Sequence, residues 1–218
     1  MIEAAFTVLR EMVLGSEDAD APRRLARLNA AHRTLADPDR RAAHDLPAGV
    51  TLRPIDDERL AELLTLAVAD AAPEDVMPPL AGPPGWTAAR REAFLAFHRA
   101  RVQGLDGPRR ELGLAIVVDG RLMGVGRLAA LERPHRYEVG LWLGRNARGR
   151  GIGSAALRAL RAQATALGAR SVVALTTATN PAALGALRRV GATVFAGGEE
   201  GAVHAELLPD GPVGHCAK

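Results

Sequence analysis

Two apolar runs joined by a two-residue turn constrain the fold of this chain more than any other feature. Residues 112–131 read LGLAIVVDGRLMGVGRLAAL, with Asp119-Gly120 between the runs. This dipeptide tolerates the positive φ angles of a tight turn between antiparallel strands. The sequence therefore predicts a β-hairpin at the centre of a larger sheet.

Further strand and helix patterns precede and follow the hairpin. Strands are predicted at 50–54 and in the segments YEVGLWL, SVVALTT, ATVFAG and AVHAELL. Helices are predicted at 57–70, at about 88–103, at 151–167 and from Asn180-Pro181 to Gly191, with a Pro- and Gly-rich loop over 72–85. We expect an α+β domain over residues 48–208, in which helices flank a mixed central sheet.

The residues before this domain have the spacing of a separate helical hairpin. Apolar residues recur at helical intervals over 3–14 and 23–36, with the polar turn GSEDADAP between the two segments. We therefore expect a helical hairpin as an appendage over residues 1–47, and a flexible tail over 209–218.

Charge and cysteine content exclude several classes of function. The 218 residues carry a net charge of +3 without a long basic block interleaved with aromatic residues, so we expect no binding to nucleic acid. Cys216 is the only cysteine, which excludes an internal disulfide and a thiol metal cluster. The first residues, MIEAAFTVLREMV, contain no continuous apolar stretch. We therefore expect a cytoplasmic protein without a signal peptide or a membrane span.

The segment RNARGRGIG, residues 145–153, alternates arginine with glycine between a predicted strand and a predicted helix. The first N–H groups of a helix are unpaired and carry a partial positive charge, which suits an anion. Glycines have no Cβ atom, so the backbone here can approach phosphate oxygens closely. The alternative is an arginine-rich surface turn, and the segment alone leaves both interpretations open.

The order Arg148-x-x-Gly151-x-Gly153 at a strand–helix junction resembles the acetyl-CoA signature of the GNAT superfamily of N-acyltransferases. The wider segment YEVGLWLGRNARGRGIG is similar to the branch that acetylates N-terminal amines of ribosomal proteins, and the resemblance extends over about residues 48–208. It implies the GNAT fold and an N-acetyltransferase that uses acetyl-CoA as co-substrate and needs no metal. The acceptor would be the primary amine of a small molecule or a peptide.

The resemblance also implies which residues bind the coenzyme. The glycine-rich loop would wrap the pyrophosphate with backbone amides. A backbone N–H near Leu141–Leu143, where the fourth strand separates from the fifth, would polarise the thioester carbonyl. Asn180 would cap its helix and contact the pantetheine arm. The coenzyme-binding residues implied in this way are Leu141, Trp142, Leu143, Arg148, Gly149, Arg150, Gly151, Ile152, Gly153, Ser154 and Asn180.

Glu138, ten residues before Arg148, is the candidate general base. Acyl transfer needs a neutral amine, and at pH 7 removing the proton costs about 4.6 kcal/mol for a lysine-like amine and about 1.4 kcal/mol for an α-amine. Family members that use a glutamate base carry it at this position, and it acts through water. The alternative is that Glu138 is a cross-strand partner for an arginine such as Arg127.

One catalytic group of the family is missing from this chain. Many members carry a tyrosine seven residues after the asparagine, where it protonates the leaving thiolate, but this chain has Leu187 there. A free thiol has a pKa near 8.5, so water could protonate the thiolate, and His204 or Thr177 are further candidates. The missing tyrosine and the appendage also motivate a second hypothesis, a coenzyme A-binding regulatory or protein-interaction module with little turnover.

The acceptor side of the site is expected in the Pro- and Gly-rich loop and the helix after it. Glu74 and Asp75 would attract a cationic amine, and Trp86 would cover its apolar part or provide a cation–π face. His98 and His135 are further candidates for substrate contact. The alternatives are a solvent-exposed connector for the loop and surface or capping roles for the histidines.

Within the appendage, the segment LNAAHRTLADPDRRAAHD (28–45) resembles the third helix and following turn of a J-domain. The His-Pro-Asp loop by which J-domains stimulate their chaperone is absent, and His32 and His44 stand where aromatic residues are usual. Two interpretations stay open, a hairpin that packs on the catalytic domain and a docking module for a protein partner. The sequence does not predict an oligomeric state.

Overall fold

The chain divides into two compact units, Met1–Leu46 and Pro47–Lys218. The computed structural model describes residues 2–15, 20–22, 24–25, 28–29, 32, 49–197 and 201–207. In the first unit, helix α1 spans Ile2–Leu14, so the helix predicted over 3–14 is confirmed.

The first unit contains one buried apolar residue of α1 and one stacked pair of rings among the described residues. Val13 of α1 is buried, and the rings of Phe6 and His32 stack with their centroids 3.8 Å apart. The second predicted helix and the J-domain-like segment 28–45 lie mostly outside the described residues, and the predicted tail 209–218 lies wholly outside them.

The second unit is built on a seven-stranded sheet with the strand order β1-β2-β3-β4-β5-β7-β6. The strands are β1 Val50–Pro54, β2 Glu111–Val118, β3 Arg121–Ala130, β4 Arg136–Leu143, β5 Ser171–Thr177, β6 Thr193–Ala196 and β7 Ala202–Leu207. Strands β4 and β5 are parallel, and the other neighbouring pairs are antiparallel. Asp119 and Gly120 join β2 to β3 with φ angles of 49° and 76°, so the predicted hairpin is confirmed.

Helices pack on the sheet, which confirms the predicted α+β class. The helices of this unit are α2 Asp57–Asp70, α3 Pro73–Val76, α4 Ala88–Arg101, α5 Ile152–Ala166 and α6 Pro181–Arg189, with a 3-10 turn at Arg145–Ala147. Polar side chains satisfy N–H groups at their starts: Asp56 accepts from the Arg59 N–H at 2.9 Å, and Thr87 accepts from the Arg90 N–H at 3.3 Å.

The sequence prediction missed helix α3, because it assigned the whole of 72–85 to a loop. Pro73 stands in the first turn of this helix, where the fixed φ angle of proline is already helical. The Asp75 carboxylate accepts from the Ala72 N–H at 3.3 Å and closes the turn. A helix of one turn has too few residues to give an apolar period that a sequence reveals.

Strand alternation gives the sheet two apolar faces. On one face, Val139 and Leu128 pack with Leu160 of α5 and Leu187 of α6. On the other face, a cluster around Phe94 joins α2 and α4 to the sheet. Its buried members are Leu63, Ala67, Met77 and Phe94, and its partly buried members include Val125 and Trp142.

The parallel pairing between β4 and β5 is short. It runs from Arg136↔Ser171 to Val139↔Ala174. Beyond that point, residues 140–143 of β4 continue to pair with β3, and residues 175–177 of β5 continue to pair with β7. The two strands therefore separate after Val139 and leave a gap between them.

Candidate active site

The gap between β4 and β5 forms a cleft of about 500 Å³, which we call the β4–β5 cleft. The walls come from the end of β4, from the glycine-rich loop with the start of α5, and from α6. Nine of the residues predicted to bind coenzyme line it: Leu141, Trp142, Leu143, Arg148, Gly149, Gly151, Gly153, Ser154 and Asn180. The structure thus brings together in one cleft residues that are up to 39 positions apart in the chain (180 − 141).

Three glycines of the glycine-rich loop, at positions 149, 151 and 153, line this cleft. Gly149 and Gly151 have φ angles of 72° and 77°, in the left-handed region that glycine adopts without strain. Gly151 is the N-cap of α5 and, having no side chain, cannot cap the N–H groups of the first turn. The N–H groups of the first turn are therefore available to an anion, and the helix dipole adds a partial positive charge there.

Two other residues of the loop make contacts within the chain. The Nε of Arg148 donates to the Leu143 carbonyl at 3.0 Å, which ties the loop to the end of β4. Arg150 is exposed, and its Nη1 donates to the Asn146 carbonyl at 3.3 Å. Arg150 is not a lining residue of the cleft.

Ile152 is also outside the lining of the cleft. Its side chain is buried in a cluster with Ile116, Leu143 and Ala156. Its predicted contribution to coenzyme binding is therefore limited to its backbone N–H.

Asn180 and Leu187 lie on opposite ends of α6, and both line the cleft. The Asn180 side chain accepts from the Ala183 N–H at 3.0 Å, so the predicted N-cap is confirmed. Leu187, at the position of the missing tyrosine, is buried in the core. Neither His204 nor Thr177 lines this cleft; both are exposed, and Thr177 lies 3.0 Å from the Thr179 hydroxyl.

A second cleft, of about 410 Å³, lies on the face of the sheet that carries α4, and we call it the α4 cleft. Residues of α3, α4 and strands β2 to β4 line it. Gly140, Leu141 and Trp142 line both clefts. The two clefts therefore meet at the residues where β4 leaves β5.

Glu138 forms an ion pair with Arg127 through its Oε1 atom. Its side chain is largely buried and does not line either cleft. The structure thus contains the Arg127–Glu138 pair, the alternative to a base role for this carboxylate. A proton could reach Glu138 from the α4 cleft only through a water molecule or after a change of this pair.

The arginines of the α4 cleft are the feature that sequence reasoning missed. Arg101, Arg109 and Arg127 all line the cleft, and each contacts the carboxylate of Glu111. The N···O distances are 2.7 Å from Arg101, 3.7 Å from Arg109 and 3.6 Å from Arg127. No local motif predicts this group, because it comes from α4, the segment before β2, and β3.

His98 lines the same cleft and is buried. Burial, with a smaller contribution from the charge of Arg101, lowers the pKa of His98 from 6.5 to about 4. The imidazole is therefore neutral at pH 7. Its Nε2 atom and the Nε1 atom of Trp142 are buried without a hydrogen-bond partner among the described residues. His135 lies elsewhere, with its Nδ1 3.0 Å from the Gly168 carbonyl.

The predicted acceptor residues are only partly brought together. Glu74 and Asp75 line the α4 cleft, but Trp86 does not. The indole N–H of Trp86 donates to the Ala71 carbonyl at 2.9 Å, and its ring packs edge-to-face on Phe94 with centroids 5.5 Å apart. In this position Trp86 connects the segment before α4 to the end of α2 and does not line the cleft.

The described part of the chain shows neither a metal-binding group nor a membrane-spanning helix. No group of three or more His, Cys, Asp or Glu side chains within it is arranged to hold a metal ion. Among its helices, none has both the length and the apolar composition needed to cross a membrane.

Comparison with known proteins identifies relatives of the second unit. The family model described as the acetyltransferase (GNAT) domain matches residues 50–193. A search of curated proteins found no match.

Solved structures share the fold at low sequence identity. RimL, the ribosomal L7/L12 alpha-N-protein acetyltransferase in complex with coenzyme A, is 19% identical with a TM-score of 0.58, over 75% of this chain and 96% of that chain. The yncA structure from Salmonella typhimurium, with its cofactor acetyl-CoA, is 18% identical with a TM-score of 0.52, over 76% and 97%. The GNAT domain of S. lividans PAT is 20% identical with a TM-score of 0.54, over 73% and 90%.

Proposed function

The chain belongs to the GNAT acetyltransferase family, and on this premise we propose that it transfers the acetyl group of acetyl-CoA to a primary amine. The observation that carries the proposal is the meeting of the two clefts at Gly140, Leu141 and Trp142. A coenzyme in one cleft and an amine in the other would reach each other only there.

The β4–β5 cleft fits the coenzyme. The open amides at the start of α5 are suited to the pyrophosphate, since a helix N-terminus binds anions without a side chain. Acetyl-CoA supplies the acetyl group as a thioester. Backbone N–H groups of β4 between Leu141 and Leu143 would bind its carbonyl oxygen, where negative charge develops as the amine attacks. Asn180 would contact the pantetheine arm from the other wall of the cleft.

Because acyl transfer needs a neutral amine, a basic group of the protein must accept a proton from the amine that binds in the α4 cleft. We assign this role to Glu138, acting through water and sharing its carboxylate with Arg127. The amine nitrogen forms a bond to the carbonyl carbon, the carbon–sulfur bond breaks, and the amine proton passes towards Glu138. Leu187 cannot donate a proton to the leaving sulfur, so water supplies that proton.

A second function in another class is a coenzyme-binding regulatory module with little turnover. The apolar Leu187 at the position of the usual acid is the observation that favours it. A docking role for residues 1–47 would belong with this hypothesis and stays a prediction. The location in the cytoplasm also stays a prediction.

Calorimetry and a screen of amines test the proposal. Acetyl-CoA should bind with a Kd in the micromolar range, and amines presented as peptides, polyamines or aminoglycosides should release free thiol from it. Binding together with amine-dependent thiol release supports transfer. Binding without thiol release across the whole panel favours the regulatory module, and no binding contradicts both.

A further inference from the structure

The α4 cleft contains more basic than acidic groups at its α4 end. Arg101, Arg109 and Arg127 share the Glu111 carboxylate, and Arg127 also pairs with Glu138. In this cluster, which we call the arginine cluster, two carboxylates face three guanidinium groups. Among the described residues, one positive charge of this cluster is left without an anion.

The arginine cluster is partly buried, so its excess positive charge is poorly solvated and raises the free energy of the folded chain. The Arg101 side chain is 19% exposed and the Glu111 side chain 13%. Burial, with smaller contributions from the charges of Arg127 and Arg109, lowers the pKa of Arg101, while Glu111 opposes this change. The charge of Arg101 also helps to lower the pKa of His98, which lines the same cleft.

An aromatic ring holds two of the arginines in place. The Cζ atom of Arg101 lies 3.8 Å from the centroid of the Phe97 ring, and that of Arg109 lies 5.7 Å from it. Both guanidinium groups are thereby oriented before any ligand binds. Arg109 is the more accessible of the two, with 44% of its side chain exposed and 3.7 Å to its carboxylate partner.

The acidic residues that line the same cleft do not neutralise the arginine cluster. Glu74 lies 4.0 Å from Arg90, and Asp75 accepts from the Ala72 N–H at 3.3 Å. Both lie on α3 and so offer negative charge to a protonated amine at a different part of the cleft wall. The cleft therefore has groups of both signs for an acceptor that carries both.

We infer that the acceptor carries a carboxylate in addition to its amine, and that Arg109, with Arg101 beside it, binds this carboxylate. The inference rests on the proposed acetyl transfer and narrows its acceptor to an acidic small molecule or an acidic peptide. The planar guanidinium group suits a carboxylate because it can donate two parallel hydrogen bonds.

Matched acceptors that differ in one charge test the inference. We would compare β-alanine with β-alaninamide, and the tripeptide amides Ser-Glu-Ala, Ser-Gln-Ala and Ser-Lys-Ala, by thiol release from acetyl-CoA. The parent protein would be measured beside Arg109→Gln and the control Arg121→Gln, which removes an exposed arginine of the same charge outside both clefts.

β-Alanine should have a kcat/KM about tenfold above that of β-alaninamide, and the Ser-Glu-Ala peptide about tenfold above that of the Ser-Gln-Ala peptide. This is the difference expected for one charge-assisted hydrogen-bonded contact. Arg109→Gln should remove this preference, and Arg121→Gln should keep it. Equal or better use of the amides or the lysine peptide by the parent protein would overturn the inference and leave the proposed transfer intact. A preference that persists in Arg109→Gln would also overturn it.

A binding measurement separates this inference from the proposed function. If no acceptor releases thiol, the transfer proposal fails, and calorimetry with N-acetyl-β-alanine and N-acetyl-β-alaninamide then decides the question of the carboxylate. Tighter binding of the carboxylate, lost in Arg109→Gln, supports the anion site. Equal binding of the two compounds, or binding of neither, overturns it.

Discussion

Arg127 on β3 and Glu138 on β4 form an ion pair although they are not opposite each other in the sheet. Arg127 is opposite Gly140, and Glu138 is opposite Ala129. The Arg127 side chain crosses Gly140 to reach the carboxylate, and a Cβ atom at position 140 would lie 3.1 Å from its Nε. The candidate base therefore belongs to the arginine cluster, and Arg127 reaches it across a glycine at the junction of the two clefts.

Replacing the candidate base should separate catalysis from coenzyme binding. We expect Glu138→Gln to lower kcat by a factor of about 10² to 10⁴, since that is the usual contribution of a positioned general base. The Kd for acetyl-CoA should not change, because Glu138 does not line the β4–β5 cleft. Steady-state kinetics and calorimetry measure the two quantities. Glu132→Gln, at an exposed site, is the control, and an equal kcat in both variants would leave Glu138 with only its pairing role.

A larger side chain at Gly153 should block the coenzyme and leave the fold intact. A Cβ atom there would lie 3.6 Å from Cδ1 of Leu143, an ordinary contact, but the methyl groups of valine would extend into the β4–β5 cleft. We expect Gly153→Val to weaken acetyl-CoA binding at least about tenfold. Ala162→Val, on an exposed position of the same helix, is the control for β-branching. Equal affinities of the two variants would contradict the assignment of this cleft to the coenzyme.

His98 should make the stability of the second unit depend on pH. Its pKa is about 4 in the folded chain and 6.5 unfolded, so between these values the unfolded state binds more protons and stability falls as the pH is lowered. Above pH 6.5 both states are neutral and the effect vanishes. The difference corresponds to about 3 kcal/mol at the acid limit. Urea unfolding from pH 7 to pH 4.5 should show this loss in the parent and in the control His204→Gln, and His98→Leu should show a much weaker slope. If the free energy of unfolding fell equally with pH in all three proteins, His98 would not be the cause of the loss.

Glu111 should be the main stabilising residue of the arginine cluster. Removing its charge leaves Arg101, Arg109 and Arg127 facing one another in a partly buried site, so Glu111→Gln should lower the free energy of unfolding by about 3 kcal/mol. Urea unfolding at pH 7 measures this, with the exposed Glu92→Gln on α4 as the control. Adding Arg101→Gln to Glu111→Gln should restore part of the loss. A change no larger than that of the control would mean that the pairs contribute nothing.

The elements that sequence predicted best are those with local start and turn signals. The Asp119-Gly120 turn and the Asn180-Pro181 helix start form as expected, since short-range sterics and caps decide them. The strand over 171–177 also forms, where its apolar run predicts it. The glycine-rich loop belongs with these, because positive φ at positions 149 and 151 is a property of glycine itself.

The acceptor side could not be predicted in the same way. Arg101, Arg109 and Glu111 come from different segments. The pairing of β2 with β3 brings Glu111 close to Arg127, and the packing of α4 on β2 brings Arg101 to Glu111. Trp86 was predicted to face the acceptor, but its indole N–H donates a hydrogen bond to the Ala71 carbonyl. Such positions depend on how distant elements pack, which no local pattern contains.

An N-acetyltransferase forms one acetylated amine for each thiol that it releases, so the stoichiometry of the reaction is the decisive measurement. The protein would be incubated with acetyl-CoA and an amine found to cause thiol release. Mass spectrometry would measure the acetylated amine, and a thiol assay would measure the free coenzyme A. We predict one N-acetylated amine for each thiol released, at a rate that Glu138→Gln lowers and Glu132→Gln does not. Thiol release without an acetylated amine, or at the same rate without any amine, would contradict the assignment of an N-acetyltransferase.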